Sequence, residues 1–380
     1  MRIGSYSTGN ISALLLALVA ALFVCALPAV GQRRIDDMPP PPQPPRLRPK
    51  PTPTPVPPKP GDEEADIVRV SSNLVMVPVS VVDRQGQPVR GLQLPDFRLD
   101  EDGRQQRITE IGNPDQVPLD IALLFDVSSS VSQKGFFVFQ QTAAAAFLKQ
   151  VLKPIDRAAI FTIGQEPEMI QELAPAETAA AKLMTIPPAT SAVPTAFYDT
   201  VNAAAQYLTK NSGERHRRVI VVITDGDDNF SHYIKDLSIA EARASETGQM
   251  TPAAILAGLQ ERHRRAVRDV ESQVQRADIT FYSINPGGPS VQLNRISMRA
   301  QNGMAAIAAA TGGAAFLPDG EKELEPVLTQ VAAELRGQYL LLYYSDSKTP
   351  SADFRRIEVG VPAHQDLRVR ARQGYYPKSK

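Results

Sequence analysis

Apolar and polar positions fall into three successive rhythms along the chain. Leu74-Val-Met-Val-Pro-Val-Ser-Val-Val82 has strand character, and Asp83-Arg-Gln-Gly86 has turn chemistry. Pro88–Leu92, Phe97–Gly103 and Arg107–Ile111 read as further short strands, and Pro78 predicts an edge position or a bulge for the first one. Such an antiparallel unit is too thin to bury a good core alone. From residue 120 strands and helices alternate, the mark of a mainly parallel sheet covered by helices. Strands are expected over 120–125, 158–163, 218–224 and 279–284, with a hairpin edge strand over 168–173. Helices are expected over 133–152, 177–184, 196–210, 303–311 and 321–336, with helical segments through 237–276. The unbroken apolar run Ile121-Ala-Leu-Leu-Phe125 reads as a strand buried on both faces, and Leu123, Phe125, Val221 and Ile223 are assigned to core. Ser245–Arg265 is longer than such a connection needs, and Glu261-Arg-His-Arg-Arg265 reads as the solvated face of an extended helix, with a partner contact as the alternative. After Arg336 the strand rhythm returns at 339–344, 355–361 and 367–372, and the chain finishes with Gly374-Tyr-Tyr376.

The fold class expected is α/β, with a doubly wound, mostly parallel Rossmann-like sheet inserted in or flanked by a small antiparallel β-sandwich. The flanking segments, 67–114 and 338–380, are each insufficient, yet together they close a sandwich around an inserted domain at 115–337. Domain termini often lie close together, which makes such an insertion easy.

Composition narrows the classes. A chain of 380 residues has room for two or three domains, and 41 basic residues against 41 acidic ones leave no global field for nucleic acid. Cys25 is the only cysteine, which excludes thiol catalysis and cysteine metal sites in the remainder. His216, His232, His263 and His364 are scattered and never at zinc spacing. Residues 1–31 have the form of a signal peptide, with Arg2, an apolar Ile11–Leu27 and a small-residue Ala29-Val-Gly31; an uncleaved anchor is the competing reading. Either way the rest is expected outside the cytoplasm, secreted, periplasmic or in the cell envelope. Residues 32–66 form a proline-rich linker, and from Pro39 to Pro60 it reads as an extended polyproline II spacer tethering the globular part.

The candidate chemistry sits at strand ends. The first buried strand runs into Asp126-Val-Ser128-Ser-Ser130, a second loop carries Thr195 just before a helix, and strand 218–224 ends in Asp225-Gly226-Asp-Asp-Asn229. Taken singly, a serine caps a helix and Asp-Gly makes a turn. Together they place hard oxygen donors at the sheet edge where open α/β folds bind ligands. Hard oxygens suit Mg²⁺, Mn²⁺ or Ca²⁺. Asp227 and Asn229 offer oxygens for a second ion, but Phe230 stands where a calcium-binding helix–loop–helix needs glycine.

Asp126-x-Ser128-x-Ser130, Thr195 and Asp225-Gly226 after an apolar strand resemble the metal-ion-dependent adhesion site of von Willebrand factor A (VWA) domains, over roughly residues 116–336. Thr195-Ala-Phe-Tyr-Asp199, Ala310-Thr-Gly-Gly313 and the closing Arg372-Gln-Gly-Tyr-Tyr376 are similar to its bacterial exported branch. The resemblance implies that Ser128 and Ser130 ligate the metal through their hydroxyls and that Thr195 joins when a ligand engages. Asp126 and Asp225 would act directly or through water. Two carboxylates and neutral hydroxyls leave a divalent ion under-neutralised and open at one vertex, ready for an aspartate or glutamate of a protein partner. The function expected is therefore an exported, non-catalytic adhesion or interaction module. One alternative is an envelope scaffold with a structural metal. Another is a metal-dependent hydrolase, which lacks Gly-x-Ser-x-Gly and has Ser128 where a phosphotransfer enzyme needs a second aspartate.

Overall fold

The computed structural model describes residues 74–128, 137–226, 228–237, 239–248, 251–287, 295–346 and 353–377. The expected signal segment, the linker and the first residues of the helix expected from 133 lie outside them. Among the described residues no helix is long and apolar enough to cross a membrane.

Four strands come first: Leu74–Val82 (β1), Arg98–Glu101 (β2), Arg104–Gln105 (β3) and Ile108–Gly112 (β4). Six more follow as one sheet: Leu119–Asp126 (β5), Arg157–Ile163 (β6), Glu168–Ala174 (β7), Arg217–Ile223 (β8), Ile279–Ile284 (β9) and Ala315–Phe316 (β10), in the order β10-β9-β8-β5-β6-β7. All neighbours in it are parallel except β6 and β7, which pair antiparallel. The chain winds from β5 through β6 to one edge and then returns to β8 on the other side of β5. Strand order thus reverses between β5 and β8, and the crevice beyond their carboxyl ends is the topological switch point of the sheet.

The helices of this region are Phe137–Val151 (α1), Ala176–Leu183 (α2), Phe197–Asn211 (α3), His232–Lys235 (α4), Ile239–Glu246 (α5), Pro252–Arg276 (α6), Arg295–Thr311 (α7) and Glu321–Gly337 (α8). They cover both faces, because strands this apolar leave neither face free to meet water. Leu123, Phe125, Val221 and Ile223 pack under α1, α2 and α8, whereas Leu124, Ile220, Val222 and Phe281 pack under α3, α6 and α7. Strand alternation makes this division, since successive side chains point to opposite faces.

After α8 the strands Tyr339–Tyr344 (β11), Arg355–Gly360 (β12), Arg368–Ala371 (β13) and Gly374–Tyr375 (β14) join the first four in two antiparallel sheets. The orders are β13-β1-β11-β4 and β14-β12-β2-β3, so each sheet mixes strands from before and after the α/β region. Their shared core holds Val77, Val79, Leu99, Leu341, Tyr343 and Ile357. The fold is thus mixed α/β with a mainly parallel sheet, as expected, and with antiparallel sheets beside it.

Four details differ from the sequence reading. β1 is flanked by β11 and β13 and is no edge strand; β13 runs beside it only from Val79 onward, so Pro78 stands where that ladder has ended. Residues 88–92 form no strand beyond a single bridge from Val82 to Pro88, because the Tyr339 hydroxyl serves their backbone, accepting from Leu92 N–H and donating to Val89 C=O. Helix α7 begins at Arg295, earlier than the 303 expected. In α6, Arg262 and His263 turn inward, with Arg262 paired to Glu241, while Glu261 and Arg264 form the solvated pair.

Candidate metal centre

Asp126 is the last residue of β5 and is buried. Its two oxygens are held from opposite sides: Ser128 N–H donates to Oδ1 at 2.7 Å and the Thr224 hydroxyl donates to Oδ2 at 2.5 Å. The Thr224 oxygen in turn accepts from Gly226 N–H at 2.9 Å. Parallel register makes this bridge, because Phe125 pairs with Ile223 and the next residues lie level.

The remaining loops are tied to the same edge. Val127 N–H donates to Ile163 C=O at the end of β6, and Ala196 N–H donates to Gly164 C=O. Thr195 donates its N–H to Asn229 Oδ1 at 2.9 Å, and its C=O accepts from the amides of Asn229 and Phe230. Backbone and side chains thus run in a closed ring from Asp126 through β6, Thr195 and Asn229, and back through Thr224. Asp126, Ser128, Thr195 and Asp225 all lie on this ring; Ser130 and Asp227 lie outside the described residues.

Three members of the ring escape a reading of sequence alone. Thr224 looks like the last residue of a strand, yet it fixes Asp126. Asp228 looks like part of an acidic turn. Its carboxylate instead accepts from Tyr198 N–H at 2.8 Å, from the Ser231 hydroxyl at 2.5 Å and from two further amides, so it caps α3. The Asn229 side-chain oxygen serves the Thr195 amide. The one available signal is the density of Asx and Ser residues near a helix start.

Gly226 shapes the turn. It has φ +73, and a Cβ there would stand 2.6 Å from Met304 Cε on α7. The positive φ is what calls for glycine, since the tip of Met304 can move aside.

The electrostatics favour a cation. Burial, and secondarily the charge of Asp225, push the Asp126 carboxyl up to about 6, against the hydrogen bonds from Ser128 and Thr224. Asp225 Oδ1 is buried and has no hydrogen-bond partner among the described residues. A bound divalent ion would satisfy that oxygen and reverse the penalty on Asp126. Among the described residues no cluster of three or more His, Cys, Asp or Glu side chains could hold a metal. A donor set of two carboxylates completed by hydroxyls is a different kind of site, and the residues present fit it.

Beneath this edge Tyr198 Oη lies 3.3 Å from His263 Nδ1. His263 is 3% exposed, and its Nε2 has no hydrogen-bond partner among the described residues. Burial first, then the charges of Arg299 and Arg262, hold its pKa down at about 4 against an ordinary 6.5. Folding therefore favours the neutral ring; the benefit is complete above 6.5 and is lost as pH falls toward 4. The expected loss is about 3 kcal/mol across that window. Thermal melts from about pH 7.5 to about pH 4.5 should fall further in the wild type than in His263→Gln, the difference separating this ring from the opposite slope of Asp126; equal changes would contradict it.

Among solved structures that resemble the chain is an aerotolerance-related membrane protein from Bacteroides fragilis, 16% identical, with TM-score 0.35, covering 56% of this chain and 98% of that one. A von Willebrand factor type A structure from Catenulispora acidiphila is 10% identical, with TM-score 0.39, covering 70% and 51%. Proximal thread matrix protein 1 from the mussel byssus, solved with a zinc-occupied MIDAS motif, is 13% identical, with TM-score 0.41, covering 63% and 50%. No curated protein matches the chain. The region from the start of the apolar run in β5 to the acidic turn after β8, residues 121–227, matches the family model of the von Willebrand factor type A domain.

Proposed function

We propose that this chain is an exported, non-catalytic interaction module that captures an acidic group of a protein partner through a divalent cation. Asp126, Ser128, Ser130, Thr195 and Asp225 would hold the ion, with Mg²⁺, Mn²⁺ or Ca²⁺ as the candidates. The observation that carries the reading is the buried, unpartnered Asp225 oxygen beside a buried Asp126, at the switch point of the sheet. A bound cation would supply the positive charge and an open coordination position for an outside carboxylate.

The chain's own residues account for the rest. Thr224 and the Ser128 amide fix the Asp126 carboxylate, and the Asn229–Thr195 bonds hold the second loop in place. This existing order spares a partner the cost of arranging the site. Three of the histidines already have partners: His216 with Asp120 near the far end of β5, His232 with Asp199 and His263 with Tyr198. That distribution supports a binding role over an acid–base one. Export rests on the character of residues 1–31.

The test uses the double variant Ser128→Ala with Thr195→Ala. Wild-type protein should retain envelope partners in Mg²⁺ or Mn²⁺, releasing them to chelator or to excess acidic peptide. The double variant should lose this capture by about tenfold or more, while its melting temperature in chelator stays within about 3 °C, since Thr195 is tied to its neighbours through its backbone. Capture that ignores chelator would overturn the reading. A metal-dependent melting temperature with metal-independent capture would favour the scaffold role instead.

A further inference from the structure

Beside α7 a groove of about 420 Å³ lies between β10, the last strand of the parallel sheet, and strands β12 and β13 of the two antiparallel sheets. Its wall includes Ala305, Ala308 and Ala309 of α7, Ala315 of β10, Val359 of β12 and Val369 of β13. The volume falls within the roughly 300–1,000 Å³ of ordinary ligand sites. Side chains this small give shape but little selectivity, so backbone and charge decide what fits.

The backbone around the groove is open in a definite direction. β10 is an edge strand, joined only to β9. Ala314 and Phe316 turn their carbonyls to β9, accepting from Ser283 and Asn285, so the N–H and C=O of Ala315 face away from the sheet. On β12, Ile357 N–H donates to Gln373 C=O on the side away from β2, and alternation sends the polar groups of Val359 the same way. β14 pairs only with Arg355 and Arg356 and stops short of Val359. On β13, Val369 stands opposite Val81, whose carbonyl accepts from Val89 instead, so the Val369 groups also point outward. Among the described residues none of these three positions finds a backbone partner on its open side.

Open edges are ordinarily blunted by charge. The opposite edge of the parallel sheet follows that rule, with Glu168 and Glu172 on β7. Around β10 there is no charged residue from Ala300 to Pro318. The charged residues on the groove wall are Arg370 and Arg372, and their ion-pair partners, Glu334 and Asp278, are not part of that wall. Arg368, further along β13, is exposed. The complement of such a wall is a chain segment with small apolar side chains, an acidic residue and no lysine or arginine. We infer that the groove is a docking site for an extended, acidic-tipped segment of a partner protein, which hydrogen-bonds through its main chain to the open edges of β10, β12 and β13. Strand addition of this kind draws affinity from the main chain and selectivity from alternate side chains. The site is separate from the candidate metal centre at the carboxyl ends of β5 and β8.

The probe is a short capped peptide that alternates valine and alanine and ends in aspartate, labelled for fluorescence anisotropy and titrated with the full chain. It should bind with a dissociation constant below about 1 mM, equally in Mg²⁺ and in chelator. The same peptide N-methylated at alternate amides keeps its side chains but loses donors, and should bind about tenfold more weakly. Lysine in place of the aspartate should weaken binding by about fivefold or more. Ala315→Pro removes the outward N–H without breaking a bond to β9, and Ala309→Glu sets a carboxylate at an exposed position of the α7 wall. Each should reduce binding by about tenfold or more, with the melting temperature within about 3 °C of wild type. Absence of binding at 1 mM peptide would overturn the inference. Equal binding of the methylated peptide or of the lysine peptide would overturn it too, leaving an unselective apolar groove. Binding that both protein variants keep in full would place the peptide elsewhere, and binding lost in chelator would place it at the metal centre, against this inference but in favour of the proposed function.

Discussion

Replacing Asp126 by asparagine is expected to abolish the response to Mg²⁺ and, at the same time, to make the metal-free protein more heat-stable. The carboxyl group sits in a buried position beside Asp225 and is pushed from 3.8 up to about 6. That displacement corresponds to about 3 kcal/mol held against the charged form at neutral pH. Asparagine removes the charge and keeps an oxygen for the Ser128 amide. It gives up the charge-assisted bond from Thr224, a loss of about 1–2 kcal/mol. The balance is a gain of about 1–2 kcal/mol, or about 2–8 °C in a domain of this size. Calorimetric scans of both proteins in chelator and in Mg²⁺ would measure it. An asparagine variant that melts lower in chelator and still responds to Mg²⁺ would remove the basis of the proposed function.

The second large effect belongs to the antiparallel sheets. Glu101 on β2 is buried and accepts from Tyr343 Oη at 2.6 Å, Ser345 Oγ at 2.6 Å, Arg355 at 3.2 Å and Tyr375 Oη at 3.3 Å. It therefore joins β2 to β11, β12 and β14, strands drawn from opposite ends of the described chain. Glu101→Ala would remove the one buried acceptor shared by Tyr343, Ser345, Arg355 and Tyr375, a loss of about 3–5 kcal/mol. A fall in melting temperature on the order of 10 °C is expected. Glu101→Gln should fall in between, since it keeps the shape and some of the acceptors. A loss below about 1 kcal/mol for the alanine variant would show that the network adds little. The same connections support the proposed division of the chain, with 115–337 as an insert between two halves of one sandwich. On that division the halves should resist or yield to protease together.

Much of this architecture is legible in local pattern. The parallel strands announce themselves because burial on both faces demands continuous apolar runs, as in Ile121–Phe125 and Val219–Ile223. The short edge strand Ala315–Phe316 escapes notice because two residues carry no periodicity. Pro78 misleads, since the rule against proline in a central strand assumes ladders along its whole length, and β13 stops at Val79. The failure at 88–92 has a different cause. The partner for that backbone is a tyrosine hydroxyl from β11, distant in sequence. At the candidate centre, Asp126, Ser128, Thr195 and Asp225 are visible as oxygens at strand ends. The roles of Thr224, Asp228 and Asn229 are not, because each depends on which strand lies beside which.

The pairing of β1 with β11 and β13 also governs how the chain can be made. Leu74 faces Tyr344 and Val82 faces Arg368, so β1 leaves the ribosome long before either neighbour exists. Closing so long a loop before the intervening α/β region has condensed is entropically uphill. During that wait Val75, Val77, Val79 and Val81 remain an unpaired β-prone ribbon, open to joining other nascent chains. Pro78 interrupts that ribbon at its middle. In the finished sheet the proline costs little; in the unfinished chain it is a safeguard against the wrong partner.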